Sequence, residues 1–249
     1  MGVVRMRRGF ELELDERDPL QRHLANEREY EPEVSWIYPY LLRDGDTFVD
    51  GGAHIGYLTL LGSLSVGSTG AVHAFEPVAA TYAALARNVA RNRARNVRLN
   101  KTALGPREGT LDLELPIDPQ GDAVLAWGAS AIQAGRGPVE RVPMTTLDAY
   151  AERAKLRSIR VLKLDLEGAE LGALDGARDL LKQRRVEHLV VELNTYLLDL
   201  AGERYDACRA LLASYGYRCW QLSKSGRIVA QTDPIVTRDV VVTDLLFAA

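Results

Sequence analysis

The chain is poor in cysteine and has no long apolar run. Two cysteines, Cys208 and Cys219, occur among 249 residues, and their spacing fits neither a metal site nor a disulfide framework. A reducing compartment is therefore expected, which makes the protein cytoplasmic. No stretch approaches the roughly 18 apolar residues of a membrane span, and residues 1–18 lack the apolar segment of a signal peptide.

The chain also lacks a strong excess of charge of either sign. A net charge of −3 gives no indication of a nucleic acid or an anionic membrane as partner. Hydrophobic residues make up 47% of the chain and charged residues 26%, so a core can form without disulfides or structural metals.

What the sequence does contain is an alternation of short apolar strands and amphipathic helices. The strand patterns cover residues 47–50, 71–76, 97–104, 159–165 and 187–193, and the helical patterns cover 79–92, 169–183 and 204–215. This repetition predicts an α/β fold with a doubly wound, mostly parallel sheet. Two further strands, over 217–222 and 238–243 with a turn at 224–227, predict an antiparallel pair at the end of the chain.

Two regions break the alternation. Residues 1–45 are predicted to form an N-terminal extension with a helical lid, and residues 46–249 the main domain. Within that domain, residues 105–146 read as an inserted, hairpin-like segment, and insertions of this length are often where substrate binds. The loop over 116–139 is expected to select the substrate.

The N-terminal extension has its own pattern. Residues 1–18 predict an extended or loose lead-in. Pro19 opens a short helix over 19–28, and a second helix is predicted over 32–43. Pro39 should kink or end that second helix, because proline removes a backbone donor in a helix interior.

The densest motif is FVDGGAHIG, residues 48–56. A strand ends at Asp50, Gly51 and Gly52 permit a tight turn, and Gly56 lets the next helix pack closely against the strand. Ligands of parallel sheets bind outside the carboxyl ends of the strands. The loop is therefore predicted to contact a ligand.

Two acids indicate which ligand. The strict dinucleotide pattern is not met, because Ala53 stands at its middle glycine. Asp50 at the mouth of the loop would repel a pyrophosphate and suit an ammonium group. Glu76, at the end of the next strand, is placed to accept from ribose hydroxyls; the alternative is an acid that stabilises a helix N-terminus.

A second dense motif is VLKLDLEGAE, residues 161–170. Strand alternation would place Lys163, Asp165 and Glu167 on one face, so that the two acids emerge together. Crowded carboxylates raise at least one pKa, which suits a general base. The alternative is a set of helix-capping acids and a Lys163 salt bridge.

The neighbouring strand ends in VVELN, residues 190–194. Glu192 and Asn194 could line the same cleft, or be a surface acid and a turn residue.

Together these motifs resemble the FkbM-type methyltransferases, S-adenosylmethionine enzymes that mostly methylate hydroxyl groups. The resemblance spans roughly residues 30–195. It rests on YEPE (30–33), DGGAHIG (50–56), HAFEP (73–77), RNVARN (87–92), NKTALG (100–105), TTLDAY (145–150) and VLKLDLEGAELGALDGA (161–177). One departure is His54, where the family often has asparagine.

The resemblance implies a seven-stranded, Rossmann-like class I methyltransferase sheet and a set of cofactor contacts. Glu76 should hold the ribose, the segment at Thr102 and Ala103 should lie near the adenine, and Glu31 should close over the cofactor unless it is only a helix N-terminal acid. The predicted cofactor-binding residues are Glu31, Asp50, Gly51, Gly52, Ala53, Gly56, Glu76, Thr102, Ala103 and Asp165.

The predicted function is S-adenosylmethionine-dependent O-methylation of a small acceptor, a hydroxyl on a sugar, glycolipid or natural product. Asp165 or Glu167 is the expected base, with His54 as the third candidate. His23, His73 and His188 are expected to be structural. The alternatives are an NAD-dependent oxidoreductase and a non-catalytic protein with a degenerate methyltransferase fold.

No metal site is predicted, although Asp165, Glu167 and Glu192 could hold Mg²⁺ through oxygen ligands. The sequence fixes no oligomeric state. A homodimer through the N-terminal helices is a hypothesis.

Overall fold

A computed structural model describes residues 1–30, 32–115, 137–194, 206–222, 228–230 and 242–248. The strands are β1 (Gly2–Arg5), β2 (Glu11–Leu14), β3 (Thr47–Gly51), β4 (Ala71–Phe75), β5 (Val97–Asn100), β6 (Ala103–Leu104), β7 (Gly109–Glu114), β8 (Val139–Thr145), β9 (Ile159–Leu164), β10 (Val186–Asn194), β11 (Arg218–Leu222), β12 (Ile228–Ala230) and β13 (Val242–Ala248). The helices are α1 (Pro19–Glu27), α2 (Pro32–Ser35), α3 (Ile37–Leu41), α4 (Tyr57–Val66), α5 (Ala79–Arg91), α6 (Leu147–Ala154), α7 (Glu170–Asp175), α8 (Arg178–Lys182) and α9 (Asp206–Ser214).

The central sheet has the strand order β12-β11-β13-β10-β9-β3-β4-β5. From β5 to β10 neighbouring strands run parallel, and β13, β11 and β12 pair antiparallel at the other side. This confirms the doubly wound α/β prediction. The sheet has eight strands in the described residues where seven were predicted, because the short β12 adds to the edge of β11.

The chain reverses direction across the sheet between β3 and β9. From β3 it proceeds to β4 and β5 on one side, and it later returns through β9 to β10 on the other. Such a reversal opens a crevice at the carboxyl ends of the two central strands, which is the usual ligand position in open α/β sheets.

Side chains alternate between two apolar layers. Phe48, Val72 and Val161 pack in the layer that holds the buried faces of α4 and α5. Val49 and Leu162 point to the opposite layer, which holds α6 to α9. Strand period and helix burial therefore agree, and both faces of the sheet are covered.

The predicted insertion is confirmed where it is described. β7 and β8 form an antiparallel pair from Gly109–Met144 to Glu114–Val139, and β6 adds in parallel to β8. The strand predicted over 97–104 is therefore two strands, because β5 bonds to the central sheet and β6 to the small one. The predicted acceptor-selecting loop falls largely on residues 116–136, which lie outside the described residues.

The N-terminal residues are extended, which was one of the two predicted alternatives, and not loose. β1 and β2 form a hairpin, and its apolar residues Met6 and Phe10 are buried. Asn88 of α5 and Asn92, the C-cap of that helix, hold it: the Glu13 N–H donates to Asn88 Oδ1 at 2.7 Å, and the Glu11 N–H to Asn92 Oδ1 at 2.8 Å. Side-chain amides thus occupy the outer edge of β2, a role that periodicity does not reveal.

Two predicted helices are interrupted. The helix over 32–43 breaks at Trp36, not at Pro39, because Pro39 is the third residue of α3, where a backbone N–H needs no helical partner. The helix over 169–183 divides around Gly176, whose backbone lies against that of Gly105: a Cβ at Gly176 would be 2.1 Å from the Gly105 carbonyl oxygen.

The C-terminal strands pair antiparallel, as predicted. The described part of the last strand is Val242–Ala248, and its residues Leu245–Phe247 are buried against β10. The predicted turn at 224–227 and residues 238–241 lie outside the described residues. In the part of the chain that is described, no helix is long and apolar enough to cross a membrane.

Candidate functional site

A cavity of about 600 Å³ opens at the carboxyl ends of β3, β4, β9 and β10. It brings together most of the residues predicted for the site. Those that line it are Gly52, Ala53, His54, Glu76, Thr102, Ala103, Asp165, Glu167, Glu192 and Asn194. Asp50, Gly51 and Gly56 lie beside the cavity without lining it, and Glu31 is outside the described residues.

The glycine loop is fixed by its own backbone. The N–H groups of Gly52 and Ala53 both donate to the Phe75 carbonyl, at 3.1 and 2.9 Å. Gly52 has φ +75°, and a Cβ there would stand 1.9 Å from the Asp165 carbonyl oxygen. The loop therefore lies backbone to backbone against the turn that follows β9, and only glycine fits at that contact.

Gly51 and Gly56 serve packing. A Cβ on Gly51 would be 3.0 Å from both Leu164 and the Lys163 carbonyl. Gly56 has φ +100°, and its missing Cβ makes room for Leu85 of α5, 2.7 Å away. The sequence predicted that Gly56 allows a close contact with the preceding strand. The close contact is instead with α5.

Asp50 is fully buried and has no surface in the cavity. Its Oδ2 accepts a hydrogen bond from the Thr59 hydroxyl at 2.5 Å, and its Oδ1 lies 3.5 Å from Lys163 Nζ. The direct contact with a ligand ammonium that the sequence predicted is therefore not what this geometry offers. Since Lys163 itself lines the cavity, Asp50 acts on the site through that lysine.

Glu76 is the best-anchored acid of the cavity. Its Oε2 accepts from the His54 N–H and its Oε1 from the Val78 N–H, both at 3.0 Å. Burial raises the pKa of Glu76 to about 7, although the two backbone bonds lower it. Each oxygen retains further lone-pair capacity, so Glu76 can accept hydrogen bonds from a ligand.

Thr102 and Ala103 form part of an apolar wall beside Glu76. The Thr102 hydroxyl donates to the Pro143 carbonyl at 3.0 Å, which ties this wall to β8. Ala103 is buried, and Phe75 and Val78 line the cavity next to it. Such a surface suits a flat, weakly polar ring.

The acid turn, residues 165–170, departs from strand geometry. β9 ends at Leu164, and Glu167 and Gly168 have φ of +52° and +94°. Strand alternation therefore stops before Glu167, and Leu166 lines the cavity together with its acidic neighbours. The prediction that alternation alone would align Asp165 with Glu167 is wrong, although both do reach the cavity.

Glu170 holds this turn together. Its Oε1 accepts from the N–H of Leu166 at 2.7 Å and of Gly168 at 3.3 Å. Its Oε2 is buried without a hydrogen-bond partner among the described residues. Burial raises the pKa of Glu170 to about 7. Glu170 does not line the cavity, so its role there is structural.

Asp165 and Glu167, the two acids of this turn that line the cavity, differ in the pKa of their side chains. Burial opposes ionisation of Asp165, yet Lys163, 3.2 Å away, and a hydrogen bond with Glu192 hold its pKa below the usual value. Burial, and then repulsion from Asp165 and Glu170, raises the pKa of Glu167 to about 7. A carboxyl group with that pKa exchanges protons readily near neutral pH.

Lys163 is the functional residue that sequence reasoning treated only as a salt-bridge partner. Burial opposes its charge, but Asp165 and Asp50 raise its pKa above the usual value. The signal was present in the sequence: a lysine between two leucines near the end of a strand, two residues before an acid.

The histidines divide between cavity and core. His54 lines the cavity in a left-handed conformation with φ +48°. His23 of α1, which was predicted to be structural, also lines it. His73 is buried 2.7 Å from the Tyr150 hydroxyl, and burial lowers its pKa to about 4. Burial also lowers the pKa of His188, away from the cavity.

No group of three histidine, cysteine or acidic side chains within the described ranges is arranged to hold a metal ion. Mg²⁺ binding by Asp165, Glu167 and Glu192 thus has no preformed geometry there.

Comparisons with solved structures return methyltransferases at low identity. The methyltransferase FkbM of Methylobacillus flagellatus is 17% identical with a TM-score of 0.49, over 90% of this chain and 52% of that one. The chain thus spans about half the length of that protein. A SAM-dependent O-methyltransferase of Thermotoga maritima is 12% identical with a TM-score of 0.48, over 91% of this chain and 69% of that one.

A third structure is a putative methyltransferase of Streptococcus mutans in complex with SAH. It is 11% identical with a TM-score of 0.49, over 88% of this chain and 98% of that one. None of the curated proteins matches at a significant level. The sequence model of the methyltransferase FkbM domain matches residues 50–219, well over half of the chain and including the glycine loop, Glu76 and the acid turn. The chain belongs to the FkbM methyltransferase family.

Proposed function

We propose that the chain is an S-adenosylmethionine-dependent methyltransferase that transfers a methyl group to a hydroxyl of a small, uncharged acceptor. One observation carries this proposal. A single cavity contains an acid anchored for binding, Glu76, and a separate acid turn, where Asp165 is held ionised and Glu167 has a pKa of about 7.

The residues present fit the cofactor. Glu76 has lone pairs left for two ribose hydroxyls, and the apolar wall of Phe75, Val78 and Ala103 suits an adenine ring. Four carboxyl groups and one ammonium group line the cavity: Glu76, Asp165, Glu167, Glu192 and Lys163. This excess of acids favours a ligand that carries a sulfonium and an ammonium and no phosphate.

The same loop disfavours a nicotinamide dinucleotide. A pyrophosphate is normally bound by unpaired N–H groups of a glycine loop. Here the N–H groups of Gly52 and Ala53 already donate to Phe75, and that of His54 donates to Glu76. The oxidoreductase alternative therefore lacks a phosphate site at this loop.

Bound S-adenosylmethionine supplies an electrophilic methyl group, and the protein supplies position and proton transfer. We assign Glu167 as the base that accepts the proton of the acceptor hydroxyl. Asp165 is the weaker base, because Lys163 favours its ionised form. Its fixed negative charge instead favours the cationic cofactor and orients the hydroxyl.

The acceptor class follows from the rest of the lining. Leu20 and Leu24 of α1 and Leu111 and Leu113 of β7 add an apolar wall. A phosphate or carboxylate on the acceptor would be repelled by the acids that line the cavity. A sugar, glycolipid or natural-product hydroxyl with an apolar flank fits this lining.

Thermal unfolding with S-adenosylhomocysteine, S-adenosylmethionine and NAD⁺ tests the cofactor. A ligand at about 100 times its Kd stabilises the folded protein by about 2.7 kcal/mol, which raises the Tm measurably. We expect a shift with both adenosyl ligands and none with NAD⁺. A Tm shift with NAD⁺ alone would refute the proposal, and so would the absence of a shift with all three ligands.

A further inference from the structure

Lys163 is a charged residue in the middle of a parallel strand. It lies on β9 opposite Asp50 of β3 and Val190 of β10, and it is 5% exposed. A buried lysine carries a large desolvation penalty unless partners surround its ammonium group. The identity of those partners therefore indicates what the residue does.

Three oxygens from three separate segments surround Nζ. The Gly52 carbonyl of the glycine loop lies at 2.7 Å, Asp165 Oδ2 of the acid turn at 3.2 Å, and Asp50 Oδ1 of β3 at 3.5 Å. An ammonium group has three N–H donors. Nζ donates a hydrogen bond to the Gly52 carbonyl and forms ion pairs with the two carboxylates, although Asp50 Oδ1 itself has no hydrogen-bond partner among the described residues. Oxygens of the protein therefore surround this ammonium group.

The two loops that Lys163 contacts also touch each other directly. The Gly52 Cα faces the Asp165 carbonyl so closely that no side chain fits between them. The Asp165 N–H also donates to the Gly51 carbonyl at 3.3 Å, and Lys163 adds a side-chain link that contacts Gly52 and Asp165 together. Asp50 accepts a hydrogen bond from Thr59 and contributes the ion pair with Lys163 on the side of the ammonium group away from the cavity.

We propose that Lys163 is a positioning residue that ties the glycine loop to the acid turn. It thereby sets the spacing between the part of the cavity that binds the cofactor and the carboxylates that receive the acceptor proton. The effect on catalysis rests on the function proposed above. The structural claim, that the Lys163 side chain holds the glycine loop and the acid turn together, is independent of that function.

Hydrogen–deuterium exchange tests the mechanical claim without any ligand. Asp50→Asn with Lys163→Met removes the lysine together with the buried charge of Asp50, while Asp165, which reaches the cavity, keeps its charge. Asp50→Asn alone is the matched control. We expect segments 50–56 and 163–170 to exchange at least about tenfold faster together in the double variant. Segment 139–145 should keep its wild-type rate. Faster exchange in one segment only, or in neither, would overturn the proposal.

Lys163→Arg provides a second variant that keeps the charge in the sheet. Its planar guanidinium cannot direct donors at three oxygens around one point. Both segments should therefore exchange faster by a smaller common factor. Wild-type exchange in both segments of this variant would contradict the tie, and so would a change confined to one of them.

Calorimetric titration with S-adenosylhomocysteine then measures whether the link that Lys163 makes between the two loops affects ligand affinity. The double variant should bind about tenfold more weakly than Asp50→Asn. Asp165→Asn should weaken binding less in the Lys163→Met, Asp50→Asn background than in wild type, because coupled residues are not additive. Additive effects of the substitutions on affinity would refute the proposed coupling through Lys163. If the wild-type protein does not bind this ligand, the proposed function fails, while the exchange rates still decide the role of Lys163.

Discussion

Glu76 and Glu167 are two acids with a pKa near 7 that lie in the same cavity but in different surroundings. Glu76 is buried and receives two backbone N–H donors, from His54 of the glycine loop and from Val78 two residues further along the chain. Glu167 is half-buried at φ +52° on a turn where Asp165 and Glu170 disfavour its charge. The backbone therefore holds both oxygens of the first acid, and the second acid has a left-handed backbone and like-charged neighbours.

The difference teaches that a raised pKa alone does not identify a base. A carboxylate whose oxygens are fixed by the backbone is suited to hold hydroxyl groups that do not react. A carboxylate whose charge is disfavoured by its neighbours gains most from accepting a proton. We therefore assign binding to Glu76 and proton transfer to Glu167, and the following variants are expected to separate the two.

The largest expected effect is on transfer. Glu167→Gln should lower kcat by about 10² to 10⁴, because a positioned base is lost, and should leave S-adenosylhomocysteine affinity unchanged. Wild-type kcat should rise with pH through about 7. A methyl-transfer assay across pH 5.5–8.5, with the exposed Glu152→Gln on α6 as control, measures both. If Glu167→Gln lowers S-adenosylhomocysteine affinity and leaves kcat unchanged, Glu167 is a binding residue and not the base.

The next effect is on binding. Glu76→Gln should weaken S-adenosylhomocysteine affinity by about 10- to 100-fold, since a hydrogen bond to a charged group contributes about 1.5–3 kcal/mol. Only the ionised acid accepts from both ribose hydroxyls, so wild-type affinity should fall as pH drops below about 7. Titration calorimetry at several pH values should show this slope in wild type and none in the variant. An unaltered slope would exclude Glu76 as its source.

The smallest effect is on stability, and it isolates the turn beneath Glu167. Burial raises the pKa of Glu170 from 4.5 to about 7 on folding, so folding favours its protonated form, and stability is lost as pH rises from about 4.5 to about 7. Glu170→Gln removes that charge and keeps an acceptor for Leu166 and Gly168. Urea unfolding should show a gain of about 1 kcal/mol or more at pH 8.5 and almost none at pH 4. Equal differences at both pH values would rule out this cause.

The layout of the sheet and the location of the cavity could be predicted from the sequence. Strand–helix alternation gives the parallel sheet, and residues that follow the strands, such as Glu76 and Asp165, must then meet at one edge. Exact bounds could not be predicted where tertiary contacts decide them. Gly176 ends a helix because Gly105 lies against it, and nothing local indicates that approach.

The errors at the site have a common cause. Asp50 and Lys163 were interpreted one at a time, as a ligand contact and as a salt bridge. Their roles depend on register: they are direct partners across β3 and β9, which places the lysine between the aspartate and the cavity. Cross-strand register between segments more than a hundred residues apart is not contained in either motif.

The asparagine contacts of the N-terminal hairpin bear on the order of assembly. The hairpin precedes Asn88 and Asn92 by about 75–81 residues in the chain, so these two side chains can contact it only after α5 has been synthesised. Asn88 also donates to the Ile55 carbonyl of the glycine loop, so one side chain contacts both the hairpin and that loop. The first strands of the chain thus depend for their docking on a helix that lies beyond β3, α4 and β4 in the sequence.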